Sequence, residues 1–190
     1  MSSLHEQLSF EKAYREHRWQ VAQWVLQHPE TFEELLQIGF QGDKALSHKA
    51  HWVLEFVCME RPSLLYQHLD LFFEKLPEVT NDSSVRPLSH LCERMMIAYY
   101  KDRDQELRAT LSEAHKKQLI ACAFDWMITD QKVACQVRAM TCLYYLGTEY
   151  DWIHPELLAI IKRNMGQGSA GYRSRGKKVL QQIQRFSTQS

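Results

Sequence analysis

The sequence contains one group of residues whose types could do chemistry together: a histidine, three arginines and an aspartate. Asp125 is the only polar side chain in residues 119–128, a segment that is apolar on nearly all sides and that we expect to be a buried helix. A buried carboxylate needs a cationic partner, because its unpaired burial costs several kcal/mol. The candidate partners are Arg86, His90, Arg94 and Arg138.

This group of charged residues has two interpretations that stay open. With Trp126 next to Asp125, the histidine, arginines and aspartate could form a small anion-binding or acid–base pocket. Alternatively, the carboxylate and one arginine form a buried ion pair that fixes the packing of two helical layers. We favour the ion pair, because charged networks inside helical proteins are more often structural than catalytic.

A second set of potential ligands lies on one predicted helix. His48, His51 and Glu55 follow at spacings of three and four residues, which places them near one helix face. A metal site usually takes further ligands from a second element, and the five cysteines show no Cys-x-x-Cys or Cys/His spacing. We therefore expect a solvated surface at these residues, and we expect the protein to have no metal, no cofactor and no catalytic residue.

The same helix carries an apolar stripe on another face. Trp52, Phe56 and Met59 follow at spacings of four and three residues. If the stripe packs against a tryptophan such as Trp19 or Trp24, it belongs to the core. If it is exposed, it is a binding surface.

Composition and charge limit the class of protein. The chain has 190 residues, with 23 basic and 23 acidic side chains, so no global field attracts nucleic acid or an anionic membrane. Seven glycines and five prolines are too few for the turns of a β-sandwich or barrel. The first residues lack a signal-peptide pattern, and no apolar stretch is long enough to span a membrane. Together with an odd number of cysteines in apolar helical patterns, this predicts a cytoplasmic protein.

Helix start and stop signals follow one another along the whole chain. Ser3 with Glu6, and Thr110 with Glu113, have the capping-box spacing. We predict an all-α protein of about nine helices with no β-sheet. The other caps and breaks between the helical segments are Pro29, Gly39, Asp43, Pro62, Asn81, Asp130, Gly147, Asp151, Gly166 and Ser169.

A motif recurs inside these predicted helices. Lys49, Arg86, Arg138 and Arg175 are each followed by a small residue or by proline, and a leucine stands five residues after each of them. The spacings between the basic residues are 37, 52 and 37 residues, and the longest interval contains an extra polar stretch at 101–108. A motif that returns at such a fixed interval is typical of an α-solenoid.

On these residues the chain resembles the HEAT/armadillo-like repeat family, whose second helix commonly begins with Asp followed by Val-Arg. Asp82 with Val85 and Arg86, and Val137 with Arg138, match this pattern best, and the resemblance covers about residues 30–186. It implies an α-α superhelix in a single domain, 1–190, with a capping helix at 1–28 and helix pairs at 29–60, 62–100, 105–147 and 152–186. It also implies that the basic residue of each second helix pairs with a carboxylate in a turn.

The resemblance implies a non-catalytic scaffold with a protein partner, because most members of the family bind proteins. A nucleic-acid-binding alternative stays open, because the chain is also similar to the HEAT-like DNA-repair glycosylases, which combine basic residues with Trp and Asp in a cleft. No acidic residue follows Glu156, whereas seven basic ones do. The zero net charge argues against this alternative. The basic residues that would form a C-terminal surface are Arg173, Arg175, Lys177 and Lys178.

A third interpretation is an all-helical enzyme similar to the fumarase/adenylosuccinate lyase group. It rests on the loop at 168–177, which lacks the Met-Pro and the Asn of that group's loop. The sequence is also too short for the long central bundle of those enzymes.

Overall fold

The computed structural model describes residues 3–11, 14–40 and 44–188. Within these ranges the chain is helical and contains no β-strand, which confirms the all-α prediction. The α-helices are α1 Leu4–Leu8, α2 Arg15–Gln27, α3 Phe32–Phe40, α4 Lys44–Glu60, α5 Ser63–Tyr66, α6 Leu69–Lys75, α7 Asp82–Met96, α8 Gln105–Thr110, α9 Glu113–Ile128, α10 Val133–Leu146, α11 Ile153–Asn164 and α12 Ala170–Ser187.

The described residues form twelve α-helices, where the sequence predicts about nine. The difference arises because two predicted helices are divided and one connection is helical. The first helix ends at Leu8 and α2 begins at Arg15, and the helix after Pro62 is split between α5 and α6. Between α7 and α9 the chain forms the π-helix Ile97–Asp102 and then α8.

The helix caps follow the sequence signals in part. The capping box of Ser3 and Glu6 is present, and the Ser169 hydroxyl accepts a hydrogen bond from the Tyr172 amide at the start of α12. The box predicted at Thr110 and Glu113 is wrong by two residues, because Ser112 caps α9 together with His115. The predicted cap Asp43 lies outside the described residues.

The chain divides into two compact units, Met1–Leu91 with Ala109–Leu111 and Cys92–Arg108 with Ser112–Ser190. In the first unit, α4 packs against α2 and α3. In the second unit, α10 packs against α9, α11 and α12. The buried side chains that form these contacts include Val21, Val25, Leu35, Leu36, Val53 and Val57 in the first unit, and Leu119, Ala123, Met140, Leu143, Leu146, Leu157, Val179 and Ile183 in the second.

The recurring motif lies on α4, α7, α10 and α12, and the small residue after each basic one is buried. At Gly176 a Cβ atom would lie 3.1 Å from Ile161 and 3.0 Å from Met165, so the absence of a side chain lets α12 approach α11 closely. The buried positions that follow the basic residues are Ala50, Pro87, Ala139 and Gly176.

The five cysteines all lie buried in described helices and form no disulfide bond. Burial raises the pKa of Cys58, Cys92 and Cys142 well above that of an ordinary thiol. Within the described ranges, none of the helices combines the length and the apolar composition that crossing a membrane requires.

Candidate functional site

Asp125 is exposed on α9, so its predicted burial is wrong. The helix buries one face, and Asp125 lies on the opposite face with Ala121 and Ile128, both of which are also exposed. Apolar residues on the solvent side of α9 made the helix look buried all round. Trp126 follows Asp125 in the chain, but it points into the core and is buried. The predicted pairing of Asp125 with an arginine therefore has no structural basis.

The other predicted site residues separate into two places. Arg86 and His90, on the first part of α7, line a groove in the first unit. Arg138 and Arg175, on α10 and α12, meet at Glu93 in the second unit. Arg94 is exposed and takes part in neither arrangement.

The groove in the first unit is formed by three helices, and we call it the α2–α4–α7 groove. It has a volume of about 810 Å³. The spacing of its residues explains its position, because α2 and α4 contribute side chains one helical turn apart while their opposite faces enter the core. Its lining residues are Arg15, Glu16, Arg18 and Trp19 on α2, Glu55, Phe56, Met59 and Glu60 on α4, and Arg86 and His90 on α7.

Aromatic side chains form one wall of the groove. Trp19 meets Phe56 edge to face, with ring centroids 5.7 Å apart. The guanidinium carbon of Arg18 lies 5.2 Å from the centroid of the Trp52 ring and 5.8 Å from that of Phe56. Trp52 is fixed in turn, because its Nε1 donates a hydrogen bond to the Ser83 carbonyl oxygen at 2.9 Å. The stripe seen in the sequence is therefore a partly exposed surface that holds a cation.

A hydrogen bond between His90 and Glu55 joins α7 to α4 across the groove. The His90 Nδ1 and Glu55 Oε1 atoms are 2.7 Å apart, and both side chains are largely buried. His90 stands four residues after the basic residue of its motif, where the other repeats have Val53, Cys142 and Val179. The contact with Glu55 gives the histidine a hydrogen-bond partner at this otherwise apolar position. It also removes Glu55 from the metal site considered in the sequence.

The histidines of that considered metal site do not lie together at the surface. His51 is buried against the Phe40 ring, so the expectation of a solvated surface is wrong for this residue. The pKa of His51 is lowered to about 4, mainly by burial and to a smaller extent by the nearby His48. Over the described part of the chain, no group of three His, Cys, Asp or Glu side chains is arranged to hold a metal ion.

Arg18 is the most unusual residue of the groove. Its Nε atom is buried and has no hydrogen-bond partner among the described residues. Burial is the largest cause that lowers the pKa of Arg18, and the positive charge of Arg86 is the next. The negative charge of Glu55 raises this pKa by a smaller amount. Arg18 is not among the site residues predicted from the sequence, although a basic residue next to Trp19 on an amphipathic helix was a usable signal.

In the second unit, Glu93 is the buried carboxylate that pairs with arginines. Arg175 Nη1 donates to Glu93 Oε1 at 2.8 Å and also to the Thr141 hydroxyl, while Arg138 Nε lies 4.0 Å from Glu93 Oε2. The pairing with a turn carboxylate, which the resemblance implies, is wrong for Arg175, because Glu93 lies within α7. Lys49 instead donates to the Phe10 backbone carbonyl at 2.6 Å.

The predicted basic C-terminal surface loses one of its four members, since Arg175 is turned inward to Glu93. Arg173, Lys177 and Lys178 are exposed on α12. Arg173 is partly engaged, because its Nη1 donates to the Gly168 carbonyl oxygen at 2.6 Å. Three cations therefore remain at this surface.

A second polar network in the same unit was not predicted. The buried Lys116 ammonium donates to the two carboxylate oxygens of Glu149 at 2.8 and 2.9 Å, and the Tyr100 hydroxyl donates to the same carboxylate at 2.5 Å. Burial alone would lower the pKa of Lys116, but its hydrogen bonds to Glu149 and Tyr99 raise it. The network compensates the charge of the buried lysine, which stays protonated, and it connects α9 to Glu149 in the segment after α10 and to Tyr100 in the π-helix.

Comparison with known protein families gives a match over most of the chain. A family model described as a HEAT repeat domain matches residues 4–183 of the chain. No curated protein and no solved structure matches the chain.

Proposed function

The chain belongs to the HEAT repeat family, and on this premise we propose that it is a non-catalytic scaffold that holds a segment of a protein partner in the α2–α4–α7 groove. The family match confirms the resemblance identified from the repeated motif and the helical-repeat architecture that it implied. HEAT repeat domains commonly mediate interactions between proteins, which is the coarse function that the family indicates.

The exposure of apolar side chains within a concave surface is the observation that supports this proposal. Trp19 is 38% exposed and Met59 is 41% exposed, and both line the α2–α4–α7 groove. Aromatic residues and methionine are enriched at protein interfaces, and a groove that leaves them in water loses the free energy of their burial until a partner covers them.

The composition of the groove favours binding over catalysis. Among the described residues, its lining contains arginine, glutamate, histidine and apolar side chains, but no serine, threonine, cysteine or lysine that could act as a nucleophile. His90, the candidate base, is already hydrogen-bonded to Glu55. We also propose a cytoplasmic location, supported by the burial of five cysteines as thiols, which is typical of reducing compartments.

The groove also weighs against the nucleic-acid alternative. Glu16, Glu55 and Glu60 lie among its arginines, so a chain of phosphates would meet three carboxylates there. A protein segment with mixed charge and an apolar anchor suits this lining better.

Site-specific photocrosslinking tests the proposed function. The photoreactive amino acid p-benzoylphenylalanine replaces Met59 in the groove or, as a matched control, Ile128, which is 58% exposed on α9 in the other unit. After irradiation in an extract of the source cells, we expect a protein adduct from position 59 and none from position 128. The proposal is wrong if position 59 gives no adduct, or if both positions give the same one.

A further inference from the structure

Arg18 is a cation whose charge is not balanced by an ion pair with another described residue. Its guanidinium lies beside the Trp52 and Phe56 rings, and its Nε is withdrawn from water there, although the side chain as a whole is half-buried. Among the described residues, no carboxylate is in ion-pair contact with it, and its buried Nε lacks a hydrogen-bond partner. A partly desolvated guanidinium gains from a carboxylate, which can take two parallel hydrogen bonds from it.

The nearby charges do not remove this deficit. Glu55 is the nearby carboxylate that attracts Arg18, but its Oε1 is hydrogen-bonded to His90. Arg86 and Arg15 add positive charge near Arg18. The guanidinium carbon of Arg15 lies 5.9 Å from the centroid of the Phe56 ring, on the same wall of the groove. The base of the α2–α4–α7 groove is therefore locally positive, although its lining as a whole is balanced.

Resting on the proposed function, we propose that the groove recognises a protein segment that carries an aspartate or glutamate beside a large apolar side chain. The acidic side chain reaches Arg18 and takes hydrogen bonds from its guanidinium. The neighbouring apolar side chain covers Trp19 and Met59, the exposed part of the wall.

The charges at the rim decide between one carboxylate and a polyanion. Glu16 and Glu60 are exposed lining residues, and they repel any second negative charge that enters with the first. A single carboxylate at Arg18 gains the attraction of Arg18, Arg86 and Arg15. A phosphorylated or nucleic-acid chain, in contrast, also brings further negative charges towards Glu16 and Glu60. The groove thus selects an isolated acidic residue in an otherwise apolar or mixed context.

An unbiased selection followed by matched peptides tests this inference. Short random peptides displayed on phage are selected on the full-length protein, and the strongest one is synthesised with its acidic residue intact or changed to the amide. We expect the enriched peptides to carry Asp or Glu within a few residues of an aromatic or aliphatic residue. We expect the amide peptide to bind roughly tenfold to a hundredfold more weakly than the acidic one.

The variants Arg18→Gln and, as an exposed control on α9, Lys117→Gln are measured with both peptides. Arg18→Gln should bind the acidic and the amide peptide about equally, whereas Lys117→Gln should discriminate as the unchanged protein does. The comparison of the two peptides on the unchanged protein needs no variant, so it decides the question even if Arg18→Gln does not fold.

Each other result overturns a distinct statement. The acidic preference is overturned if the enriched peptides lack acidic residues. It is also overturned if the change from the acidic to the amide peptide lowers the affinity equally for the unchanged protein and for Arg18→Gln. Either result leaves the protein-binding function intact. No enrichment at all, together with no adduct from position 59, overturns both. Labelled oligothymidine that binds more tightly than the selected peptide, and loses its affinity in Arg18→Gln, assigns the groove to nucleic acid instead.

Discussion

Replacing Glu93 by alanine should destabilise the protein far more than replacing any exposed carboxylate. The Glu93 side chain is 12% exposed and accepts a hydrogen bond from Arg175 at 2.8 Å, with Arg138 at 4.0 Å. Its removal leaves two guanidiniums close together without their shared counter-charge. It also removes the contact that ties α12 to α7.

The size of the effect follows from the burial of the three groups. Removing one partner of a fully buried ion pair costs about 3–5 kcal/mol. The Arg175 side chain is 33% exposed, so water can partly solvate it after the change. We therefore expect Glu93→Ala to lower the free energy of unfolding by about 2–3 kcal/mol.

Chemical denaturation followed by far-UV circular dichroism measures this change. Asp125→Ala is the matched control, since it removes an exposed carboxylate from the same unit and should cost less than about 0.5 kcal/mol. A double-mutant cycle with Arg175→Leu should give a coupling free energy of about 1–3 kcal/mol. Equal stability of Glu93→Ala and Asp125→Ala, or a coupling near zero, would refute the reasoning.

Two further predictions concern buried histidines. His51 has a pKa of about 4 in the folded protein against 6.5 for an ordinary histidine, so the unfolded chain binds the extra proton between these values. Its contribution to stability is complete above pH 6.5 and falls by about 3 kcal/mol as the pH is lowered to 4. The variant His51→Leu should therefore flatten that part of a curve of unfolding free energy against pH by the slope of one proton, and an unchanged slope would contradict the buried neutral histidine. At Gly147 a Cβ atom would overlap the ring of His154, whose Nε2 donates to the Tyr144 carbonyl at 2.9 Å, whereas at Gly166 it would meet open space. Thermal unfolding should therefore show a loss of about 1–3 kcal/mol for Gly147→Ala and almost none for Gly166→Ala, and equal melting temperatures would contradict the close approach.

The sequence by itself determined the local features of the fold. Helix formation depends on periodicity and on caps within a few residues, which is why the all-α class and the caps at Ser3 and Ser169 followed from it. The repeated motif was also accessible, because a stacked architecture imposes the same steric demand on each repeat. Burial of the small residue after each basic one, as at Ala139 and Gly176, satisfies that demand.

Tertiary structure alone decided which faces and which charges meet. On α9 the apolar residues exceed what one face can hold, so only packing against α10 fixes Asp125 outside and Trp126 inside. Glu93 and Arg175 are 82 residues apart, and no local pattern distinguishes this carboxylate from its exposed neighbours. The α2–α4–α7 groove likewise combines side chains from three helices. Arg18 has no ionic partner within the described part of the chain, because the packing of α2 on α4 places it against aromatic rings instead of a carboxylate.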